Sequence, residues 1–173
     1  VTISTAFPYS GVAVPFMIPL ISRNWRRISS TTIDAVLPTE RSVKEAKKYG
    51  ANVEAELGYI AKLGQEQESI YTTVEEASEF VKQTGVDALA IAIGSARGFY
   101  KSEPNLNIER LKEIHSAVDT ILVLHGSSGI PDKMLREAIH NGIAKVNLAT
   151  EIKNTFMKSL KQILLNSDEI DLR

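Results

Sequence analysis

The stretch VDALAIAIGSARG, residues 86–98, decides the fold, because it joins an apolar strand to a turn that contains two glycines. Residues 86–93 are almost all apolar, and a strand that is apolar on both faces is typical of a parallel sheet covered by helices. Gly94 and Gly98 then bracket a short turn, and such turns often bind anions through backbone N–H groups. Arg97 inside this turn has two explanations: it is a phosphate ligand, or it replaces another catalytic residue.

Apolar strands and amphipathic helices alternate along the chain from residue 39 onward, which predicts an α/β fold with a parallel sheet. Thr39 is predicted to cap the first helix, Thr73 and Glu76 to form a capping box, and Thr150 to cap the last helix. The predicted helices cover 39–50, 73–85, 107–118, 131–142 and the segment after Thr150, and the predicted strands cover 51–57, 86–94, 120–126 and 143–149.

The N-terminal part has a different character. Residues 1–33 contain no Asp or Glu and show neither a helical nor a strand period. We therefore predict that residues 1–38 are a divergent or disrupted N-terminal part and that residues 39–173 form the remaining domain. The segment 32–38 is predicted as a shortened remnant of a strand.

Composition excludes several classes of protein. The 173 residues include no cysteine and carry a formal net charge of −1, which speaks against disulfides, thiolate metal sites and nucleic acid as a partner. The longest apolar run, residues 12–21, is half the length of a membrane span and contains two prolines. We expect a cytoplasmic protein with no membrane partner.

Chemistry-bearing residues follow the predicted strands, and in parallel sheets ligands bind at the carboxyl ends of the strands. His125 ends an apolar strand and precedes GSSG, so a neutral imidazole there could bind a metal beside free N–H and O–H donors. Residues 147–150 join a strand to a helix N-terminus, which suits a phosphate. Glu54 and Glu56 lie two apart on one strand and therefore share a face.

Each of these features also has a plainer explanation. His125 could be a packing residue, GSSG only a loop, and residues 147–150 a simple helix start. Glu54 and Glu56 could pair with lysines, since buried carboxylates need a partner. His115 and His140 are predicted to be surface residues without a role.

Four segments together resemble the signature sequences of the class II, zinc-dependent ketose-bisphosphate aldolases, in the branch of fructose- and tagatose-bisphosphate aldolases. They appear in the family's order and at compatible spacing: VEAELG (53–58), VDALAIAIGSARG (86–98), LVLHGSSGIP (122–131) and KVNLATEIKNTF (145–156). The resemblance implies a (β/α)8 TIM barrel that is incomplete in this chain, with residues 39–173 as its C-terminal half. It also implies reversible cleavage of a ketose 1,6-bisphosphate to dihydroxyacetone phosphate and glyceraldehyde 3-phosphate, with Zn²⁺ polarising the ketone oxygen.

The resemblance assigns roles to single residues. His125 would be a zinc ligand, Glu56 would lie beside the metal, and Asn147 would lie near the reacting carbons. Glu66 or Glu68 could supply a mobile acid/base carboxylate. The residues implied to hold dihydroxyacetone phosphate are Gly98, Gly126, Ser127, Ser128, Asn147, Leu148, Ala149 and Thr150.

Three departures from the family pattern predict impaired chemistry. Arg97 occupies the position of a zinc-binding His, and a guanidinium has no lone pair to donate. The family's early His-Leu-Asp-His segment is absent, since no His precedes His115. The chain also has only four to five βα units, whereas a (β/α)8 barrel takes about 250 residues. We expect little or no aldolase activity from this chain and doubtful zinc binding. The alternative is a degenerate phosphosugar-binding protein or fragment, and a folded chain is expected to form homo-oligomers.

Overall fold

The computed structural model describes residues 2–5, 16–19, 33–58, 71–96, 98, 100 and 104–166. Within these ranges strands and helices alternate from residue 52 onward, as the sequence predicts. The elements in chain order are β1 Thr2–Thr5, β2 Phe16–Pro19, α1 Ile33–Lys47, β3 Asn52–Leu57, α2 Val74–Thr84, β4 Ala88–Ile91, α3 Ile108–Ala117, β5 Ile121–Leu124, α4 Asp132–His140, β6 Ile143–Val146 and α5 Thr150–Asn166.

The strands form one sheet in the order β2-β1-β3-β4-β5-β6. Strands β3 to β6 pair in parallel, which confirms the predicted α/β class. Strands β1 and β2 add an antiparallel pair beside β3, in a region where the sequence pattern indicated no strand. The carboxyl ends of β3 to β6 therefore lie along one edge of the sheet, the edge at which parallel sheets bind their ligands.

The two faces of the sheet have different side chains. One face carries Leu89, Ile91, Leu122 and Leu124, which pack with Phe80, Leu111 and Ile114 of the helices into the main apolar core. Because side chains alternate along a strand, the opposite face carries Glu54 and Glu56 of β3 and Ala88 and Ala90 of β4. The helices thus cover one face, and the residues of chemical interest lie on the other.

Helix α1 corrects two sequence predictions. It begins at Ile33, so residues 33–38 of the predicted strand remnant (32–38) are helical, and Thr39 is not an N-cap. Thr39 lies inside the helix and is 1% exposed. Pro38 lies within the helix, where it has no N–H to donate and its ring disfavours the regular hydrogen-bond ladder, so the burial of Val43 and Ala46 against the core has to offset this cost. The division of the chain at residue 38 remains a prediction.

Helix α2 bears out its local signals. The hydroxyl of Thr73 accepts the N–H of Glu76 at 3.1 Å, and the Glu76 carboxylate accepts the N–H of Thr73 at 3.0 Å. Gly85 ends the helix in the left-handed conformation, with φ of 64°. This is the predicted capping box, and it fixes the approach to β4. In the part of the chain that the structure describes, no helix has the length and apolarity needed to cross a membrane.

Candidate functional site

Three of the predicted site residues form one cluster at the end of the sheet. The Nδ1 atom of His125 lies 2.5 Å from Glu56 Oε2, and its Nε2 atom lies 3.0 Å from Glu54 Oε1. Strand β4 separates the strands of these residues, and its residues Ala88 and Ala90 pair with Glu54 and Glu56. Small side chains on the middle strand leave room for the imidazole to reach across it.

Lys145 joins the same cluster through an irregularity in β6. Leu122 of β5 pairs with Ile143, but Val123 pairs with Lys145, so Ala144 is an extra residue in the ladder. This bulge turns the Lys145 side chain to the face that carries Val123 and away from the face of Ile143. The ammonium group of Lys145 contacts Glu54 Oε2 as a result. For Glu54, the plainer expectation of a lysine partner therefore holds.

The cluster shifts the protonation of its members. Burial alone would lower the pKa of His125, but hydrogen bonds to Glu54 and Glu56 outweigh it and raise the pKa to about 9. Burial alone would raise the pKa of Glu54, yet its hydrogen bonds to His125 and Lys145 hold this pKa below the ordinary value. Both ring nitrogens face carboxylates, which only accept hydrogen bonds, so the geometry calls for an imidazolium.

The residues that the structure describes do not fit the zinc ion that the family resemblance implies. A zinc ligand must offer a free lone pair, and both nitrogens of His125 donate to carboxylates. Within the described ranges, no three side chains of His, Cys, Asp or Glu are placed to hold a metal ion. Arg97, at the family's zinc-His position, lies outside the described residues, as do Glu66 and Glu68.

A tyrosine ties the turn after β4 to the turn after β5. The hydroxyl of Tyr100 accepts the N–H of Ala96 at 2.7 Å and donates to the carbonyl of Gly126 at 2.9 Å. Burial raises the pKa of Tyr100, so its hydroxyl stays protonated and able to donate. A Cβ atom on Gly126 would lie 2.6 Å from the Ala96 carbonyl oxygen, which explains why glycine stands there.

The predicted phosphate-binding segments meet at the N-terminus of α5. The backbone N–H of Glu151 donates to Ser128 Oγ at 3.2 Å, and the N–H of Asn147 donates to the Leu124 carbonyl at 3.0 Å. The helix corrects one prediction, because Thr150 is its first residue and not its cap. The carbonyl of Ala149 accepts the first helical hydrogen bond, and since alanine offers no side-chain acceptor, Ser128 caps the helix from the neighbouring turn.

The other predicted ligand residues differ in exposure. Ser127 is 2% exposed and its hydroxyl donates to the Leu124 carbonyl, so its side chain supports the turn. Gly98, Gly126, Asn147 and Thr150 are partly exposed, and Leu148 and Ala149 are exposed. His115 and His140 are exposed on their helices, in line with the prediction for both.

Sequence reasoning missed Tyr100 and Lys145. Tyr100 lies only two residues beyond the glycine turn, and a tyrosine directly after a turn is a weak signal of a loop anchor. Lys145 gave no signal, since simple alternation from Ile143 would place it on the opposite face.

Comparison with known proteins identifies the family. The sequence profile "Fructose-bisphosphate aldolase class-II" matches residues 33–173. The crystal structure of the YdjI aldolase from Escherichia coli K12 is 39% identical with a TM-score of 0.70, over 82% of this chain and 49% of that chain. A protein from Coccidioides immitis, provisionally assigned as a fructose-1,6-bisphosphate aldolase, is 31% identical with a TM-score of 0.69, over 77% and 49% of the two chains.

A more distant structure supports the fold alone. The fructose-bisphosphate aldolase from Campylobacter jejuni is 21% identical with a TM-score of 0.62, and the match covers 79% of this chain and 43% of that chain. The present chain thus spans about half the length of the solved structures it matches. Because the profile covers residues 33–173, a range that contains all four signature segments, the chain belongs to the class-II fructose-bisphosphate aldolase family.

Proposed function

We propose that the chain binds a phosphorylated ketose where the turn after β5 meets the N-terminus of α5, as the phosphosugar-binding half of a class II aldolase. The substrate would be fructose- or tagatose-1,6-bisphosphate, cleaved in the complete site to dihydroxyacetone phosphate and glyceraldehyde 3-phosphate. Family membership supports this class of substrate. The likeness to YdjI, which carries the name of an aldolase, agrees with it.

The observation that carries the proposal is the hydrogen bond from Glu151 N–H to Ser128 Oγ. It joins the GSSG turn to the first turn of a 17-residue helix, so two groups of donors face one region. The first N–H groups of a helix have no partner within the helix, and the helix dipole favours an anion there. A phosphate dianion suits such a place.

The proposed roles follow from these positions. Backbone N–H groups of Thr150 and of the stretch 126–128 would bind the phosphate, and Ser128 keeps a hydroxyl proton to donate. Leu148 and Ala149 would line the exposed side of the phosphate, and Gly98 would let the neighbouring turn approach it. Asn147 would face the carbons of the bound ketone, and Glu56 would lie beside its oxygens.

The cleavage reaction itself is expected to be slow or absent in this chain alone. Glu56 accepts a short hydrogen bond from His125, so its carboxylate is held by the imidazolium. The same cluster favours the second candidate function, a phosphosugar-binding protein that has lost the aldol chemistry. We expect a turnover well below about 1 s⁻¹, the low end for ordinary enzymes.

Binding is tested by titrating the chain with dihydroxyacetone phosphate in a calorimeter. We expect saturable binding that Ser128→Ala weakens about tenfold, equal to about 1.4 kcal/mol. Ser116→Ala is the matched control, because this exposed hydroxyl donates only to Lys112 within α3. Glycerol 3-phosphate is titrated in the same way as a second three-carbon phosphate. The proposal would be refuted if the wild type gave no heat of binding with either compound. Cleavage is followed in separate samples as the release of triose phosphates from fructose 1,6-bisphosphate.

We further propose that the folded chain forms homo-oligomers in the cytoplasm. Helix α5 presents large apolar side chains to solvent, and exposed stripes of this kind favour association. These residues are Ile152, Phe156, Met157, Ile163, Leu164 and Leu165. Sedimentation equilibrium measures the mass of the wild type and of Phe156→Lys, and we expect the wild type to associate more strongly than the variant. A wild type that is monomeric at all concentrations would contradict the proposal.

A further inference from the structure

We propose that Glu54, Glu56, His125 and Lys145 form a metal-free ion-pair network in the place of the family's zinc, so that the chain holds its site together without the metal. This inference uses family membership, and it does not depend on the proposed binding of a phosphosugar. Its readout is the response of the protein to zinc, which can be measured whether or not a sugar phosphate binds.

The first argument is the direction of the donors around His125. Its two carboxylate partners lie on opposite edges of the imidazole, one at Nδ1 and the other at Nε2. An ion bound to either nitrogen would take the position of one carboxylate and would have the ring between itself and the other. Among the residues that the structure describes, one imidazole and one carboxylate could then reach it, whereas zinc sites in proteins use three or four protein ligands.

The second argument is charge. Two carboxylates, one imidazolium and one ammonium have formal charges that cancel. A dication entering this group would have to break a hydrogen bond between His125 and a carboxylate and compete with the Lys145 ammonium for Glu54. Both carboxylates already have cations as partners, so these four described residues offer zinc no unbalanced negative charge.

The third argument is burial. The side chain of Glu54 is 6% exposed and that of His125 is 14% exposed. Buried charges are tolerated only when they are paired and hydrogen-bonded, and removing one partner of such a set is strongly destabilising. The ion pairs of the network therefore offset the cost of burying the Glu54 charge, as a bound metal ion would otherwise do.

The fourth argument is the bulge in β6. If the ladder were regular and Ala144 paired with Val123, Lys145 would lie on the face that packs under the helices. The bulge directs the Lys145 ammonium group to the buried carboxylate of Glu54. The sheet itself therefore supplies a cation at this edge. The two positive groups of the network come from β6 and from the end of β5, and the two carboxylates come from β3.

Thermal unfolding of the full chain with one equivalent of ZnCl₂ or with excess EDTA tests the inference, together with a zinc titration by native mass spectrometry. We expect the wild type to unfold at the same temperature in both conditions and to show no stoichiometric zinc adduct. His125→Gln, which keeps a neutral side chain of similar size, should unfold roughly 10 °C lower in both conditions. His140→Gln, on the exposed end of α4, should leave the unfolding temperature unchanged.

Two results would overturn the inference. One is a wild type that binds one zinc per chain and gains several degrees from it, while His125→Gln gains nothing. The other is a His125→Gln chain as stable as the wild type in EDTA, because the network would then contribute nothing. If His125→Gln does not fold, the wild-type response to zinc and EDTA decides alone. Failure of dihydroxyacetone phosphate to bind would refute the proposed function and leave this result standing.

Discussion

The hydroxyl of Tyr100 donates to the backbone carbonyl of Gly126 at 2.9 Å, and so joins the turns that follow β4 and β5. The same oxygen accepts the N–H of Ala96 at 2.7 Å. One side chain thus satisfies two backbone groups at the edge where the site lies, and the spacing of the two turns depends on it.

Replacing this hydroxyl should loosen the edge of the sheet. In Tyr100→Phe the ring remains, but the Ala96 N–H and the Gly126 carbonyl lose a common partner. Unsatisfied buried groups cost about 1–3 kcal/mol each, so we expect a loss of about 2 kcal/mol in the free energy of unfolding. Urea denaturation measures this loss. Tyr49→Phe is the control, because Tyr49 is 72% exposed, and equal stabilities of the two variants would contradict the anchoring role.

Gly126 is expected to be intolerant of any side chain. A Cβ atom there would lie 2.6 Å from the Ala96 carbonyl oxygen and 2.8 Å from its carbon, and neither atom belongs to a flexible side chain. Gly50→Ala is the matched control, since Gly50 has a similar positive φ of 64° and no atom within 4 Å of the added methyl group. Gly50→Ala should cost about 1 kcal/mol from backbone strain alone. Gly126→Ala should cost at least about 2 kcal/mol more, by analogy with overpacked cores.

Urea denaturation of both glycine variants separates the two effects. The difference between them isolates the close approach of the turns after β4 and β5, because the strain is common to both. If the two variants lose the same stability, the turns are not packed against each other as described.

Local signals in the sequence were sufficient for the helices and strands of βα units, but not for contacts that depend on register. The Thr73–Glu76 capping box and Gly85 lie within one helix, and both were predictable from neighbouring residues. Lys145 reaches Glu54 only because of a bulge between β5 and β6, and a one-residue shift in a strand reverses the direction of every side chain. The capping of α5 by Ser128 was missed for a related reason, since the two segments are distant in sequence.

Folding stability should depend on pH through His125. Its pKa is raised from 6.5 to about 9 by hydrogen bonds to Glu54 and Glu56 that outweigh burial. A raised pKa in the folded state stabilises the protein fully below the unfolded value of about 6.5, and this contribution is lost as the pH rises toward about 9. Because one pKa unit is about 1.4 kcal/mol, we expect a loss of about 3 kcal/mol between pH 6 and pH 9.

Urea denaturation at these two pH values, on the wild type and on His125→Gln, measures this contribution. The difference in free energy of unfolding between the two proteins should shrink as the pH rises. A difference that is the same at both pH values would show that the imidazole does not gain a proton on folding. The pKa shift of Glu54 has the opposite sign and therefore the opposite pH dependence. Its lowered pKa contributes stability that is lost as the pH falls below 4.5, the ordinary pKa of a glutamate.

The alanines of β4 should be as necessary to the cluster as its charged residues. Ala90 pairs with Glu56 on one side and Val123 on the other, so its side chain points to the face across which His125 reaches Glu56. Ala90 is fully buried, and Ala90→Leu would fill the space that the imidazole uses. We expect a loss of about 2–3 kcal/mol from overpacking, with His125 displaced from its carboxylates.

Urea denaturation at pH 6 and pH 9 gives two independent readouts for this variant. Ala90→Leu should be less stable than the wild type at pH 6 and should lose most of the pH dependence that His125 provides. Ala144→Leu is the matched control, because Ala144 is exposed on β6 and the same change there meets solvent. A destabilised Ala90→Leu chain that keeps the full pH dependence would mean that His125 reaches its carboxylates by a route that does not need the small residue on β4.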